Sequence, residues 1–330
     1  MKKILFLAAI CGLITTACIP SQPDNPSGNN TTPSEDVSPS EEDSKDPGGE
    51  KKDLSEPEGA VSGWILKTYN SSGALWRTSE VTFIYDAKGR VCEYDETEQW
   101  EGLSPDSYKR IYHWVTDDKV EFHNTSLSHV VTACWELQDG RTVHYYIPSD
   151  EYDDMDDWTV SYTSDGHLDQ IFGYHYIYID TDDEERCKDW DKVLSFTWND
   201  KGNLTDMAET WTGTGGEKET RNAMVLSYKT QDNPFFGQKV DPTAYFIFRE
   251  MYLGMYGLTS KSMLLNIIFK DETLYMARDG YYFDYGYCED GILRDIRVDR
   301  VENGIKTSYN IHILYFGIED KDSYEIPVIN

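Results

Sequence analysis

Residues 195–207 read Ser-Phe-Thr-Trp-Asn-Asp-Lys-Gly-Asn-Leu-Thr-Asp-Met, and this stretch decides the fold. Phe196 and Trp198 alternate outward from a turn, Asn199-Asp200-Lys201-Gly202 supplies the turn, and Leu204 begins the return. The unit is an aromatic, three residues, Gly, any residue and an aliphatic. It recurs at Tyr69/Gly73/Leu75, Tyr85/Gly89/Val91, Tyr162/Gly166/Leu168 and Tyr287/Gly291/Leu293. Trp114/Asp118/Val120 reads as a further copy with Asp in the glycine place. A type I turn followed by one left-handed residue matches strand twist. Glycine enters that region without a Cβ clash, and Asp tolerates it next best.

The residues flanking these turns alternate apolar and polar, as in Val81-Thr82-Phe83-Ile84-Tyr85 and Trp158-Thr159-Val160-Ser161-Tyr162. That is the period of a half-buried strand. Hairpins with one apolar face each must share a core. The expected class is therefore all-β: an antiparallel, hairpin-built curled sheet or barrel-like fold. Irregular intervals between the copies exclude a solenoid or propeller of fixed period.

The chain divides into three parts. Residues 1–17 read as a lipoprotein signal peptide: Lys2-Lys3, an apolar run Ile4–Ile14, then Thr15-Thr16-Ala17 before Cys18. The run is too short for a permanent membrane helix, and Cys18 is the expected site of acylation. Residues 18–60 read as the lipidated Cys followed by a disordered, acidic, Pro/Ser-rich tether, too poor in apolar residues to offset its ordering entropy. Residues 61–330 are expected to form a single antiparallel β domain.

Within that domain, residues 232–262 break the rhythm. Asn233-Pro234 stops a strand, and Asp241-Pro242-Thr243 reads as a helix start. Phe248, Met251, Tyr252 and Met255 share one helical face before Gly254 and Gly257 end it. One substantial helix is expected over about 242–257, covering an open end or face of the sheet.

The 330 residues hold 30 Lys plus Arg against 60 Asp plus Glu, for a formal charge of −30. Such a surface repels nucleic acid and anionic lipid, leaving a cationic ligand, a divalent metal or a neutral glycan as partners. Mean hydropathy is −0.61. Strand positions Glu80, Lys109, Glu209 and Arg294, read as exposed, carry charge. A water-soluble sheet follows. Beyond Cys11 and Cys18, four cysteines remain: Cys92, Cys134, Cys187 and Cys288. They allow two disulfides in three connectivities, or buried thiols.

Tyr85-Asp86-Ala87-Lys88-Gly89-Arg90-Val91 resembles the YD repeat of large bacterial shell proteins. The wider pattern resembles a family of Gram-negative, Bacteroidetes-type lipoproteins, a domain of unknown function with a porin-like fold. The lipobox, the polar tether and the glycine-turn hairpins carry that resemblance. So do Tyr228…Asn233-Pro234-Phe235 and Gly257-Leu258-Thr259-Ser260-Lys261. It covers most of residues 63–316, implies a barrel-like antiparallel sheet and an exported location, and brings no catalytic residues.

Candidate ligand-binding residues are Trp100, Trp190 and Trp211, aromatics set among polar residues in or beside expected loops, as sugar-binding aromatics are. Asp150, Asp153 and Asp154, with Asp180 and Asp182, are candidates for Ca²⁺, a hard cation that takes several carboxylates. Asp180-Thr181-Asp182 begins like a calcium loop but lacks the later glycine and glutamate in register. No other cofactor is expected. Neither H-E-x-x-H, G-x-S-x-G, a P-loop nor a dinucleotide fingerprint is present. The expectation is a cell-envelope lipoprotein, anchored to the outer membrane on its periplasmic or surface face. It is read as a non-catalytic binding or structural module for a glycan or envelope protein. The alternatives are a polysaccharide-acting hydrolase and a Ca²⁺-dependent adhesin.

Overall fold

The structure is a computed structural model describing residues 54–124, 131–146, 157–178, 186–213, 215–247, 249–270 and 279–320. The first strands are β1 (Leu54–Ser55), β2 (Val61–Tyr69), β3 (Leu75–Asp86), β4 (Val91–Trp100), β5 (Asp106–Thr116) and β6 (Lys119–Asn124). Then come β7 (Val131–Gln138), β8 (Arg141–Tyr146), β9 (Asp157–Tyr162), β10 (Leu168–Tyr178), β11 (Arg186–Trp198) and β12 (Leu204–Gly213). The last are β13 (Lys218–Asp232), β14 (Ser262–Phe269), β15 (Gly280–Tyr287), β16 (Leu293–Glu302) and β17 (Ile305–Tyr315).

From β2 onward each strand pairs antiparallel with the next, and β17 pairs back onto β2, with Ile313 opposite Trp64. The result is a closed barrel of sixteen strands, β2 to β17, which leaves no bare edge. β1 adds two residues beside β3.

The copies after Tyr85, Trp114, Tyr162, Trp198 and Tyr287 build turns of one end, whereas the Tyr69 copy, between β2 and β3, turns at the opposite end. In the copies after Tyr69, Tyr85, Tyr162, Trp198 and Tyr287 the glycine has positive φ, between 70° and 86°. The residue after the aromatic closes the turn in both directions; Asp86 N donates to Arg90 O at 2.9 Å and Gly89 N to Asp86 O at 2.8 Å. Its side chain then caps the turn. Asp86 Oδ1 accepts from Lys88 N and Arg90 N, and Asn199 Oδ1 from Lys201 N and Asn203 N.

The aromatic itself reaches sideways to the neighbouring hairpin. Tyr85 OH donates to Val61 O (2.6 Å), Trp114 Nε1 to Val91 O (3.0 Å) and Tyr162 OH to Thr142 O (2.7 Å). Trp198 Nε1 donates to Leu168 O (2.6 Å) and Tyr315 OH to Leu293 O (2.7 Å). In the Trp114, Trp198 and Tyr315 bonds the acceptor is the aliphatic residue of the preceding copy of the unit. A chain of such bonds stitches adjacent hairpins along this turn end of the barrel.

Asp118 departs from the expectation. It is not left-handed; Thr116 pairs with Lys119 across a two-residue turn. Among the described residues, the non-glycine residues with positive φ are Asp139 (53°) and Asn303 (51°), each followed by a left-handed glycine. Two left-handed residues in succession are what a type I′ hairpin requires.

Inward positions around the ring are largely apolar: Trp64, Val81, Phe83, Tyr94, Phe122, Trp135, Leu194, Met207, Leu226, Ile267, Phe283, Val298 and Ile311 are buried. The outward positions between them include Glu80 and His113, both exposed, and Glu93, Asp95 and Lys109, which form ion pairs on the outer face. Two of the four positions read as exposed are instead buried: Glu209 is 1% and Arg294 0% exposed. Glu209 faces inward, and Arg294 donates to Ile313 O and Glu319 O under the Tyr315 ring.

A ring of sixteen strands is wide enough for an aqueous channel unless something fills it. Here residues 233–261, the connection between β13 and β14, fold into the lumen. Tyr252 packs against Trp64, Phe83 and Tyr94 with ring centroids 5.8 to 6.4 Å apart. Phe246 packs on Tyr281, Phe283 and Tyr309. Trp135 Nε1 donates to Tyr256 OH at 3.1 Å, and Thr142 N to Met255 O at 2.8 Å. The plug thus touches β2, β3, β4, β7, β8, β15 and β17.

The expected helix over 242–257 is not formed. The segment holds two short 3-10 turns, Ala244–Phe246 and Arg249–Leu253. Gly254 breaks it at φ 68°, lying so close to Lys239 O that a Cβ would sit 3.1 Å away. Met251, Tyr252, Leu253, Met255 and Tyr256 are all buried, so residues 251–256 offer no solvent face to reward an amphipathic helix. Asp241, 2% exposed, accepts from Thr243 N and Oγ1 and from Asn233 Nδ2, fixing where the segment enters. Cys92, Cys134 and Cys288 are buried as thiols; the side chain of Cys187 lies outside the described residues.

Candidate functional site

The inward face changes character toward the end that carries the β2–β3 and β4–β5 turns. On β3 and β4, Arg77 donates to Glu96 Oε1 (3.3 Å) and pairs with Glu98. Glu96 is 4% exposed and also accepts from Ser79 Oγ and Tyr94 OH. Glu98 accepts from Trp100 Nε1 (3.3 Å) and Tyr108 OH (3.1 Å). The Arg77 guanidinium lies 5.3 Å from the Trp100 ring centre, and Trp100 meets Trp76 edge-on at 5.0 Å. Trp76 is 46% exposed. Beside them Arg110, 1% exposed, packs on the Tyr94 and Tyr108 rings.

A second cluster has the same composition. Lys192 on β11 pairs with Glu209 on β12 at 2.7 Å, and Glu209 accepts from Trp211 Nε1 at 2.7 Å. Lys192 Nζ stands 5.0 Å from the Trp158 ring centre and 5.2 Å from that of Trp211. A Cβ at Gly173 would collide with the Trp158 ring, so glycine is required there. Glu96 follows Tyr85 by eleven residues and Glu209 follows Trp198 by eleven. The two glutamates therefore sit at the same height above the turn end. Their strands are eight apart in a ring of sixteen, which puts them on opposite walls.

Electrostatics separate the two acids of the first cluster. Burial works to raise the Glu96 carboxyl, but the Arg110 charge and hydrogen bonds from Ser79, Tyr108 and Tyr94 outweigh it and hold Glu96 below the ordinary range. Burial raises Glu98, and the neighbouring Glu96 charge adds to that against the pull of Arg77. Split carboxylates are one requirement of glycoside hydrolysis, and separation is the other. Glu96 and Glu98 share one guanidinium on one strand, and Glu96 and Glu209 stand across a sixteen-strand lumen.

Trp100, the last residue of β4, and Trp211, near the end of β12, thus stand beside connections and face the lumen, each bonded to a glutamate. Trp190 lies in β11, opposite Gly213, and its side chain is outside the described residues. Asp150, Asp153, Asp154, Asp180, Asp182 and Cys18 lie outside them too. Among the described residues no group of three His, Cys, Asp or Glu is placed to hold a metal. Sequence reasoning missed Trp76, Arg77, Glu96, Glu98 and Lys192. An acid stands eleven residues past the aromatic in three copies of the unit, but in the Tyr69 copy it is Glu80, exposed on the outer face, so spacing alone did not mark the lumen glutamates.

The barrel is similar to a porin-like protein of Bacteroides uniformis. The TM-score is 0.54 at 12% identity, over 79% of this chain and 100% of that one. A porin-like protein of Bacteroides vulgatus aligns over the same shares at 12% identity with a TM-score of 0.47. At such identity the likeness to the Bacteroides uniformis protein speaks for the porin-like ring alone. No family model matches the chain, and no curated protein matches it. Within the porin-like ring, the plug and the two lumen clusters are read from this chain's own residues.

Proposed function

We propose that this chain is a cell-envelope lipoprotein, anchored through acylated Cys18, whose plugged barrel is a non-catalytic glycan-binding module. The observation carrying the reading is the Trp76–Trp100 pair, one ring half exposed and the other backed by Arg77 and Glu98. Aromatic faces stack on the C–H faces of sugars, and adjacent carboxylate and guanidinium groups take the hydroxyls. Plug contacts with seven strands weigh against solute passage. Charged outward residues such as Glu80, Glu93, Asp95 and Lys109 support a wall standing in water, because a spanning barrel needs an apolar outer band about 25 Å tall. Membrane attachment then rests on the lipid.

A glycan array probed with residues 54–330, followed by titration calorimetry on the best ligand, tests this. Trp76→Ala and Trp100→Ala each weaken binding by about ten-fold or more, the loss of one stacking or hot-spot aromatic. Trp211→Ala, deeper and on the opposite wall, changes it less. An array without retained glycan, or full affinity in both rim variants, overturns the reading. Anchoring is tested separately by palmitate labelling, which Cys18→Ser abolishes.

A further inference from the structure

At the turn end, away from both lumen clusters, a cavity of about 250 Å³ opens between the β3–β4, β5–β6 and β7–β8 turns and the plug. Val91, Tyr112, Leu253 and Met255 line it and are all buried, giving it an apolar floor. Trp114 forms a wall held from two sides: its Nε1 donates to Val91 O, and the Arg90 guanidinium lies 4.0 Å from its ring centre. Lys88, Arg90 and Lys239 meet Asp117 and Asp118 at the rim.

Most of that charge is already used. Asp117 pairs with Lys88 and, at 2.9 Å, with Arg90, and Arg90 also pairs with Asp86 at 2.6 Å. The carboxylate of Asp118 and the ammonium of Lys239 have no ion-pair partner among the described residues, and both are exposed. A simple anion would find one cation and meet an uncompensated carboxylate. A simple cation would meet the converse. An apolar floor below one open positive and one open negative group suits a ligand that carries both signs and an apolar body.

We propose that this cavity binds a small zwitterion of the α-amino acid class with an apolar side chain. Its carboxylate is directed to Lys239 and its ammonium to Asp118. The volume lies just under the roughly 300–1,000 Å³ of pockets for drug-sized ligands, consistent with a ligand of a dozen or fewer heavy atoms. The site is independent of the glycan reading, since it shares no residue with Trp76, Trp100 or their partners.

Titration calorimetry of residues 54–330 with L-leucine, N-acetyl-L-leucine and L-leucinamide tests it. The two derivatives each lack one charge. Leucine binds saturably, and each derivative binds about ten-fold or more weaker, as expected when one of two charged contacts is lost. Asp118→Asn erases the discrimination against N-acetyl-L-leucine, and Lys239→Met erases that against L-leucinamide. Both side chains are exposed, and Asp118 holds its turn through its main-chain oxygen, which accepts from Leu137 N at 2.7 Å, so the variants fold. Absence of binding by leucine, equal binding of the derivatives, or tighter binding of glucose or phosphate than of leucine overturns the proposal.

Discussion

His312, on the outer face of β17, is held between two carboxylates, Asp295 through Nδ1 and Asp320 through Nε2, both at 2.9 Å. The Asp295 hydrogen bond, seconded by that to Asp320, raises the imidazole above its ordinary value despite partial burial. A raised folded-state value means that the stabilisation is fully present below the unfolded value of about 6.5 and is lost as pH rises through the folded value. His312→Gln should therefore lower the melting temperature most near about pH 5.5. The gap should close above the folded value, and a gap independent of pH contradicts this. At the same scale, the aromatics of the repeat had more to say than the glycines. All six are Tyr or Trp and none is Phe. That choice signals a needed polar head, but for Tyr85, Trp114, Tyr162, Trp198 and Tyr287 the acceptor lies on a neighbouring strand or hairpin, and one strand pair read alone does not reveal it.

Among the elements, the plug carries most of the difference between a hollow ring and a packed one. Tyr252, 2% exposed, touches three strands through Trp64, Phe83 and Tyr94. Tyr252→Ala should cost about 3–5 kcal/mol in urea unfolding, as for other large buried aromatics. A cost below about 1 kcal/mol would mean that the lumen does not depend on this contact. The break at Asn233-Pro234 and the density of apolar residues after it were legible in the sequence. The conformation was not. Helical periodicity presumes one face in water, and a segment walled in on several sides can bury every residue in any compact path. Asn233, bonded to Asp241 Oδ2 and Ser260 O, fastens the entrance of the plug to its exit. A left-handed Gly257, where a Cβ would lie 2.8 Å from Gly166 O, lets it leave against the β9–β10 turn.

Taken whole, the molecule is defined by the seam between its first and last long strands. The hairpins were readable one at a time from local turns, whereas closure was not: β2 and β17 are far apart in sequence, and no local signal links them. Gly59 N donates to Phe316 O and Phe316 N to Ala60 O, both at 3.0 Å, so the two ends of the ring meet at one rim. A circular permutant joined by a short linker from residue 320 to residue 54 and opened between Asn303 and Gly304 should keep the near-ultraviolet circular dichroism of the parent. Loss of that signal would show that the seam must be made last. The same seam bears on biogenesis. A polypeptide emerging amino end first would hold β2 with one flank bare until β17 followed it out, and a bare flank is a template for pairing with strangers. Such a chain would depend on a holding chaperone for as long as the interval between its first strand and its last.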